Sequence, residues 1–121
     1  MANVILMNTE TTDISIVMRA LADPTRRAVF ERVAGADEIT VAELTKGSGV
    51  TQGAISQHLK SLKQAGLVIE RPEGRHVYYR AQPDGLEPLA DWMNHYVAFW
   101  RERLDKLRAV LKDIDSEDPN P

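Results

Sequence analysis

After Gly66 the hydrophobic period of this chain changes from 3.6 residues to two, and that switch limits the possible folds more than any other feature. Upstream of it lie two short helical patterns with strong punctuation. Thr40-Val41-Ala42-Glu43 reads as a capping box: the threonine caps the amide three residues on, and the glutamate reaches back. It opens a short helix with Val41 and Leu44 inward, closed at Gly47-Ser48-Gly49. A further helix, capped by Thr51, runs to Gln64, with Gly66 as its left-handed stop. Downstream, residues 67–71 and 75–80 are β-rich runs around Pro72-Glu73-Gly74, which is a hairpin signal. Pro72 has no amide to donate, so it belongs near the turn or on an exposed edge.

Two short helices joined by a glycine turn and followed by a hairpin make a winged helix-turn-helix. Helices are expected on both sides of it. In residues 13–22, Ile14, Val17, Met18 and Leu21 share one face. Asp23-Pro24 then restarts the helix, which buries Ala28, Val29 and Val33 and stops at Gly35. From Asp84 to Ile114 apolar residues again recur every three or four positions. The predicted class is mainly α (α+β), in one domain spanning residues 1–121. Its parts are a helix-turn-helix at 40–64, a two-stranded wing at 67–81, and dimerisation helices at 13–22 and 85–114. The tail from Asp115 to Pro121 is acidic and expected to fray.

A length of 121 residues supports one domain, and 43% hydrophobic with 27% charged residues is an ordinary globular composition. The absence of cysteine removes disulfides, thiolate metal ligation and thiol redox sensing. Met1–Thr12 lacks the pattern of a signal peptide, and no segment has the apolar length to span a bilayer, so a cytoplasmic protein with no membrane partner is expected. The net charge of −3 is unevenly spread. Residues 1–39 sum to −2 and residues 83–121 to −4, while residues 40–82 sum to +3. Only the segment holding the helix-turn-helix and wing is positive, as a phosphate-binding centre flanked by acidic helices would be.

The helix from Thr51 to Gln64 has two unlike faces. Ile55, Leu59 and Leu62 gather on one side and must face the core. Gly53, Ser56, Gln57, Lys60 and Gln64 lie opposite, and small, polar and cationic residues suit a helix entering the major groove. The same pattern alone would also fit a merely solvated face. The capped helix before it and the basic hairpin after it favour duplex DNA. His58 lies beside the apolar side, where a half-buried histidine bonded within the domain competes with a phosphate contact. On the hairpin, Arg71 and Arg75 flank the turn and are expected to meet phosphates, whereas Arg80 is expected to pair with a carboxylate of the domain. The candidate DNA-contacting set is Thr51, Gln52, Gly53, Ser56, Gln57, His58, Lys60, Arg71 and Arg75. No phosphate-binding glycine loop, carboxylate pair or activated nucleophile argues for an enzyme.

Leu21-Ala22-Asp23-Pro24-Thr25-Arg26-Arg27, then Ile55-Ser56-Gln57-His58-Leu59-Lys60-Ser61-Leu62, Ala65-Gly66-Leu67-Val68, and Gly74-Arg75 to Tyr79-Arg80 resemble the ArsR (arsenical-resistance repressor) family of winged-helix regulators, in order and spacing over residues 12–82. The resemblance implies a homodimeric repressor whose Thr51–Gln64 helix reads an operator and whose terminal helices form the dimer interface. Metal-sensing members carry cysteines in the helix occupied here by Val41 to Lys46, and this chain has none. Others bind zinc through aspartate and histidine on the last helix. Here Asp91 and His95 share a face, with Glu102 two turns beyond His95, but the second histidine is absent; two such ligands from each subunit could still build a tetrahedral site across a dimer, yet a helical ion pair is the expected role and no metal or other cofactor is assigned.

The last helix is apolar on more than one stripe, because Trp92 and Phe99 adjoin the main seam. A domain this small cannot cover both stripes with its own chain, and a two-fold partner can. The expected interface is Ile14, Val17, Met18 and Leu21 with Leu89, Trp92, Met93, Tyr96, Phe99, Trp100, Leu104 and Leu107. The leading expectation is therefore a sequence-specific homodimeric regulator, most simply a repressor, of a pseudo-palindromic operator. The alternatives are a winged-helix protein-interaction module, or a sensor binding a small apolar effector near the last helix.

Overall fold

The structure is a computed structural model that describes residues 9–116. Along the chain run α1 (Thr9–Ala22), α2 (Pro24–Ala34), α3 (Val41–Thr45), α4 (Gln52–Gln64), β1 (Val68–Glu73), β2 (His76–Ala81) and α5 (Glu87–Ser116). Chain contacts divide it into two compact units, Met1–Leu89 and Ala90–Pro121. The reading of Met1–Thr12 as lacking a leader falls mostly outside the described residues, as does the tail beyond Ser116. Asp115 and Ser116, expected to fray, continue the helix.

The first unit is built on punctuation that the sequence states openly. Asp23 caps α2 by accepting from the Arg26 amide at 2.8 Å, and Pro24 takes the first helical position. Arg26 and Arg27 then reach back over the end of α1. Arg26 donates to the carbonyls of Ala20 and Arg19, and Arg27 to that of Leu21. These are carbonyls that the last turn of a helix leaves without partners. One five-residue stretch thus ends one helix and begins the next.

The Thr40–Glu43 capping box is present in both directions, with the Glu43 carboxylate accepting from the Thr40 amide at 3.0 Å. Gly47 and Gly49 in the following turn both have positive φ. Gly66 ends α4 at φ +77°. Gly85, by contrast, has no special backbone angle. A β-carbon there would lie 2.6 Å from the Gly66 carbonyl oxygen, so the chain packs backbone to backbone at that crossing.

The core of this unit is formed by Val17, Ala20, Val29, Val33, Ile39, Leu44, Ile55, Leu59, Leu62, Leu67 and Val68. Four expectations change here. Ile14 and Val17 are buried, and Leu21 and Leu89 pack against the core, so these four serve their own chain first; of the α1 residues expected at an interface, only Met18 is exposed. The reason is that α1 packs on α2 through the very stripe that seemed free. Ala28 is exposed: Val29 and Val33, one turn apart, define the inward line of α2, and Ala28 falls to its side at the rim of a depression between α2 and α3. Leu86 is exposed and lies just before α5, which starts at Glu87. Helix α1 begins at Thr9, earlier than the apolar pattern alone suggested.

The wing is an antiparallel pair in which Val68 faces Ala81 and Glu73 faces His76, with Gly74 (φ +62°) and Arg75 at the turn. Pro72 sits in the exposed outer half of β1, near the turn, as its missing amide requires. A third strand segment, one residue wide, extends the sheet. The Ile39 amide donates to the Tyr79 carbonyl at 3.0 Å, and the Tyr79 amide returns the bond at 2.8 Å.

The second unit is the α5 helix from Ala90 onward. Its large apolar side chains stand in solvent: Trp92 is 45% exposed, Trp100 60% and Ile114 58%. Trp92 and Tyr96 lie against each other with ring centres 5.1 Å apart, as do Phe99 and Trp100 at 5.6 Å. Among the described residues, no helix is long and apolar enough to cross a membrane.

Candidate nucleic-acid interface

Helix α4 is held from beneath by three side chains that are almost wholly excluded from water: Ile55, Leu59 and Leu62. The Thr51 hydroxyl accepts from the Ala54 amide at 3.1 Å and fixes the first turn. With one face so firmly seated, the opposite face is presented in a single orientation. Gln52, Gly53, Ser56, Gln57 and Lys60 are all exposed along it, and Thr51 is exposed at its start. His58 is half-buried beside the apolar side. Nothing but hydrogen stands on Gly53 and nothing lies within 4 Å of where a β-carbon would be, so a flat partner can approach the α4 backbone closely there.

The turn before α4 is also tied down. The Ser48 hydroxyl donates to the Thr45 carbonyl at 2.8 Å and accepts from the Val50 amide at 3.0 Å. Arg32 reaches from α2 to the carbonyls of Leu44 and Glu43, satisfying the end of the five-residue α3. These side chains keep α3 and α4 at a fixed angle, which is the requirement for a rigid reading helix.

In the wing the cations divide by role. Lys63 of α4 pairs with Glu70 of β1, whose other oxygen receives the Tyr79 hydroxyl at 3.4 Å. The Lys63 ammonium holds the Glu70 carboxyl below its ordinary range, and burial raises the Tyr79 phenol. Arg71, expected to be free for a phosphate, is instead gripped by Glu38 through two bonds of 2.6 and 2.7 Å, with Glu73 accepting a third at 3.1 Å. The intramolecular pairing expected of Arg80 is made by Arg71. Among the described residues, neither Arg75 nor Lys60 is in an ion pair, and both are exposed. Sequence reasoning missed Glu38 and Arg32 because their partners lie 33 and 12 residues away.

Asp91 and His95 lie one turn apart on α5, and among the described residues no cluster of three histidine, cysteine or carboxylate side chains is suited to a metal ion. His95 instead lies edge-on to Tyr96.

A family model described as a helix-turn-helix domain matches residues 21–71. The chain is 41% identical over 100 residues to the HTH-type transcriptional regulator Rv2034 of Mycobacterium tuberculosis, covering 83% of this chain and 89% of that one. It is 30% identical to the transcriptional repressor SdpR of Bacillus subtilis over 67% of this chain and 89% of the relative. Among solved structures, an ArsR-like transcriptional regulator from a Rhodococcus species superposes with a TM-score of 0.65 at 28% identity, covering 82% of this chain and 92% of that one. The chain belongs to the ArsR family of winged-helix transcriptional regulators.

Within the ArsR frame, the matched span from Leu21 to Arg71 holds every element described above as positioning α4. It starts at the α1–α2 junction fixed by Asp23, Arg26 and Arg27, and it ends on the residue that fastens the wing. This chain is a member with no cysteine, so thiolate coordination is closed to it.

Proposed function

We propose that this ArsR-family chain is a homodimeric repressor that reads a pseudo-palindromic operator with α4. The observation that carries the reading is the two-sidedness of α4: Ile55, Leu59 and Leu62 are buried, while Ser56, Gln57 and Lys60 are exposed and uncommitted on the opposite side. In this reading Ser56 and Gln57 meet base edges in the major groove, and Gly53 lets the backbone come close. Lys60 and Arg75 meet phosphates, as does His58 from the edge of the helix. Thr51 and Gln52 stand at the first turn, near the DNA backbone. The relationship to a transcriptional repressor supports negative control, and the chain acts in the cytoplasm by binding rather than by catalysis.

The dimer is the second part of the proposal. Met18 on α1, and Trp92, Met93, Tyr96, Phe99, Trp100, Leu104 and Leu107 on α5, are exposed. Burying the exposed half of each such side chain contributes on the order of 1 kcal/mol, and the sum over the face favours association. A second copy then sets two α4 helices about one turn of duplex apart, roughly 34 Å, and the operator inherits the two-fold symmetry.

The test is selection of bound duplexes from random and genomic DNA, followed by gel retardation across a salt series. The proposal expects an inverted repeat with half-site centres about ten base pairs apart and binding that weakens steeply with salt. Enrichment of no sequence over bulk DNA at low salt would sink it.

A further inference from the structure

We infer that Glu38 and Arg71 form a clasp that sets the angle of the wing against the helix-turn-helix, which makes Arg71 a positioning residue and leaves Arg75 as the phosphate contact at the wing's turn. The inference rests on the DNA-binding reading above. It concerns how the wing is presented, not whether the chain binds.

The geometry is specific. Arg71 Nε donates to Glu38 Oε2 at 2.6 Å and Nη2 to Oε1 at 2.7 Å, the two-pronged match of guanidinium to carboxylate. Nη1 donates to Glu73 Oε2 at 3.1 Å, so each of the three nitrogens serves a carboxylate. The guanidinium also stands 4.9 Å from the centre of the Tyr78 ring, which is its directly opposed neighbour on β2. Charge argues the same way. Two carboxylates surround one guanidinium, and the nearby Arg80, whose charge also reaches Glu38, brings the group only to neutrality. A guanidinium whose three nitrogens are all bonded to its own chain's carboxylates offers a polyanion little.

What the clasp fastens is the outer half of the hairpin. Every residue from Pro72 to Val77 is exposed, and a lone two-stranded hairpin is marginal in water. The base of the wing is secured by buried Leu67 and Val68 and by the Ile39–Tyr79 backbone bridge. Glu38 belongs to the linker between α2 and α3, one residue before that bridge. Among the described residues, its grip on Arg71 is therefore the outermost hydrogen-bonded tie between the wing and the body that carries α4. Arg75 lies beyond it at the turn, and its reach toward DNA depends on that tie.

The test measures affinity for the duplex enriched by selection, over a salt series, for the full chain and for E38Q, R71Q, R75A and the charge swap E38R/R71E. Circular dichroism and thermal melting confirm that each variant folds. E38Q and R71Q are each expected to weaken binding roughly threefold to fivefold, the range of a well-formed exposed ion pair, without changing the slope of log affinity against log salt. The swap should recover much of that loss. R75A should flatten the slope by about 0.9 per contact removed. The inference is overturned if R71Q flattens the slope as R75A does while E38Q binds like the natural chain, because Arg71 would then be a phosphate contact. It is equally overturned if both single variants bind unchanged. Failure of the natural chain to retard any enriched duplex is a different result, and it strikes the DNA-binding reading instead.

Discussion

Leu59 and Lys60 are chain neighbours with opposite tasks: one is completely buried under α4 and the other is exposed on its far side. Their replacements should therefore fail in different assays. Leu59→Ala leaves a cavity in a packed site and should cost about 2–5 kcal/mol of stability, read by urea denaturation. Lys60→Ala should leave the melting curve nearly unchanged and weaken all duplexes alike, with a shallower salt dependence read by gel retardation. Gln57→Ala should behave differently again. If its amide reads a base, discrimination at one operator position falls by about 1–3 kcal/mol while binding to other sequences persists. A loss of affinity equal for all sequences would show Gln57 to be a backbone contact.

At the scale of the element, the helices are held by terminal bonds as much as by interior ones, and several of these are charged. Arg71 holds the Glu38 carboxyl below its ordinary value of 4.5, the Thr40 amide does the same for Glu43, and Lys63 for Glu70. A carboxyl whose folded value is depressed contributes its full stability above the unfolded value. That contribution is lost as pH falls through the folded one. The melting temperature should thus hold from neutrality down to the carboxylate range and fall below it. The triple variant E38Q/E43Q/E70Q should melt lower at neutral pH and lose less on acidification toward about pH 3, as followed by circular dichroism. Equal acid sensitivity in both proteins would place the acid-labile groups elsewhere. The capping box behind Glu43 was fully legible in Thr40-Val41-Ala42-Glu43, because caps are local. The Glu38 and Glu70 pairs were not legible, since each needs the wing folded back against another element before the partners meet.

For the whole molecule, the open matter is the apolar surface of α5. A chain of 13.6 kDa with Trp100 60% exposed and Leu104 47% exposed should associate. Sedimentation should report twice that mass, and the variant W100E/L104E should sediment as a single chain with its helical signal retained. Its operator affinity should collapse, because two linked α4 helices bind as one unit. A natural chain that sediments at 13.6 kDa at operator-binding concentrations would remove the dimer from the proposal.

The switch of period at Gly66, with the caps and glycines around it, determined the winged helix-turn-helix on its own. Those signals are written in contiguous residues, and a left-handed turn or a capped amide does not wait for tertiary partners. The faces of α4 were equally readable, because helical spacing alone separates Ile55, Leu59 and Leu62 from Ser56, Gln57 and Lys60. What the tertiary structure decided was the use of side chains whose spacing allowed more than one partner. It sent Ile14 and Val17 into the chain's own core, and it turned Arg71 inward to Glu38 while leaving Arg75 exposed at the turn. Periodicity marks which side of an element is apolar, but only the packed fold fixes which neighbour that side meets. The same limit holds for charge, since a pair such as Glu38 and Arg71 exists only after the wing's start has closed against the linker before α3.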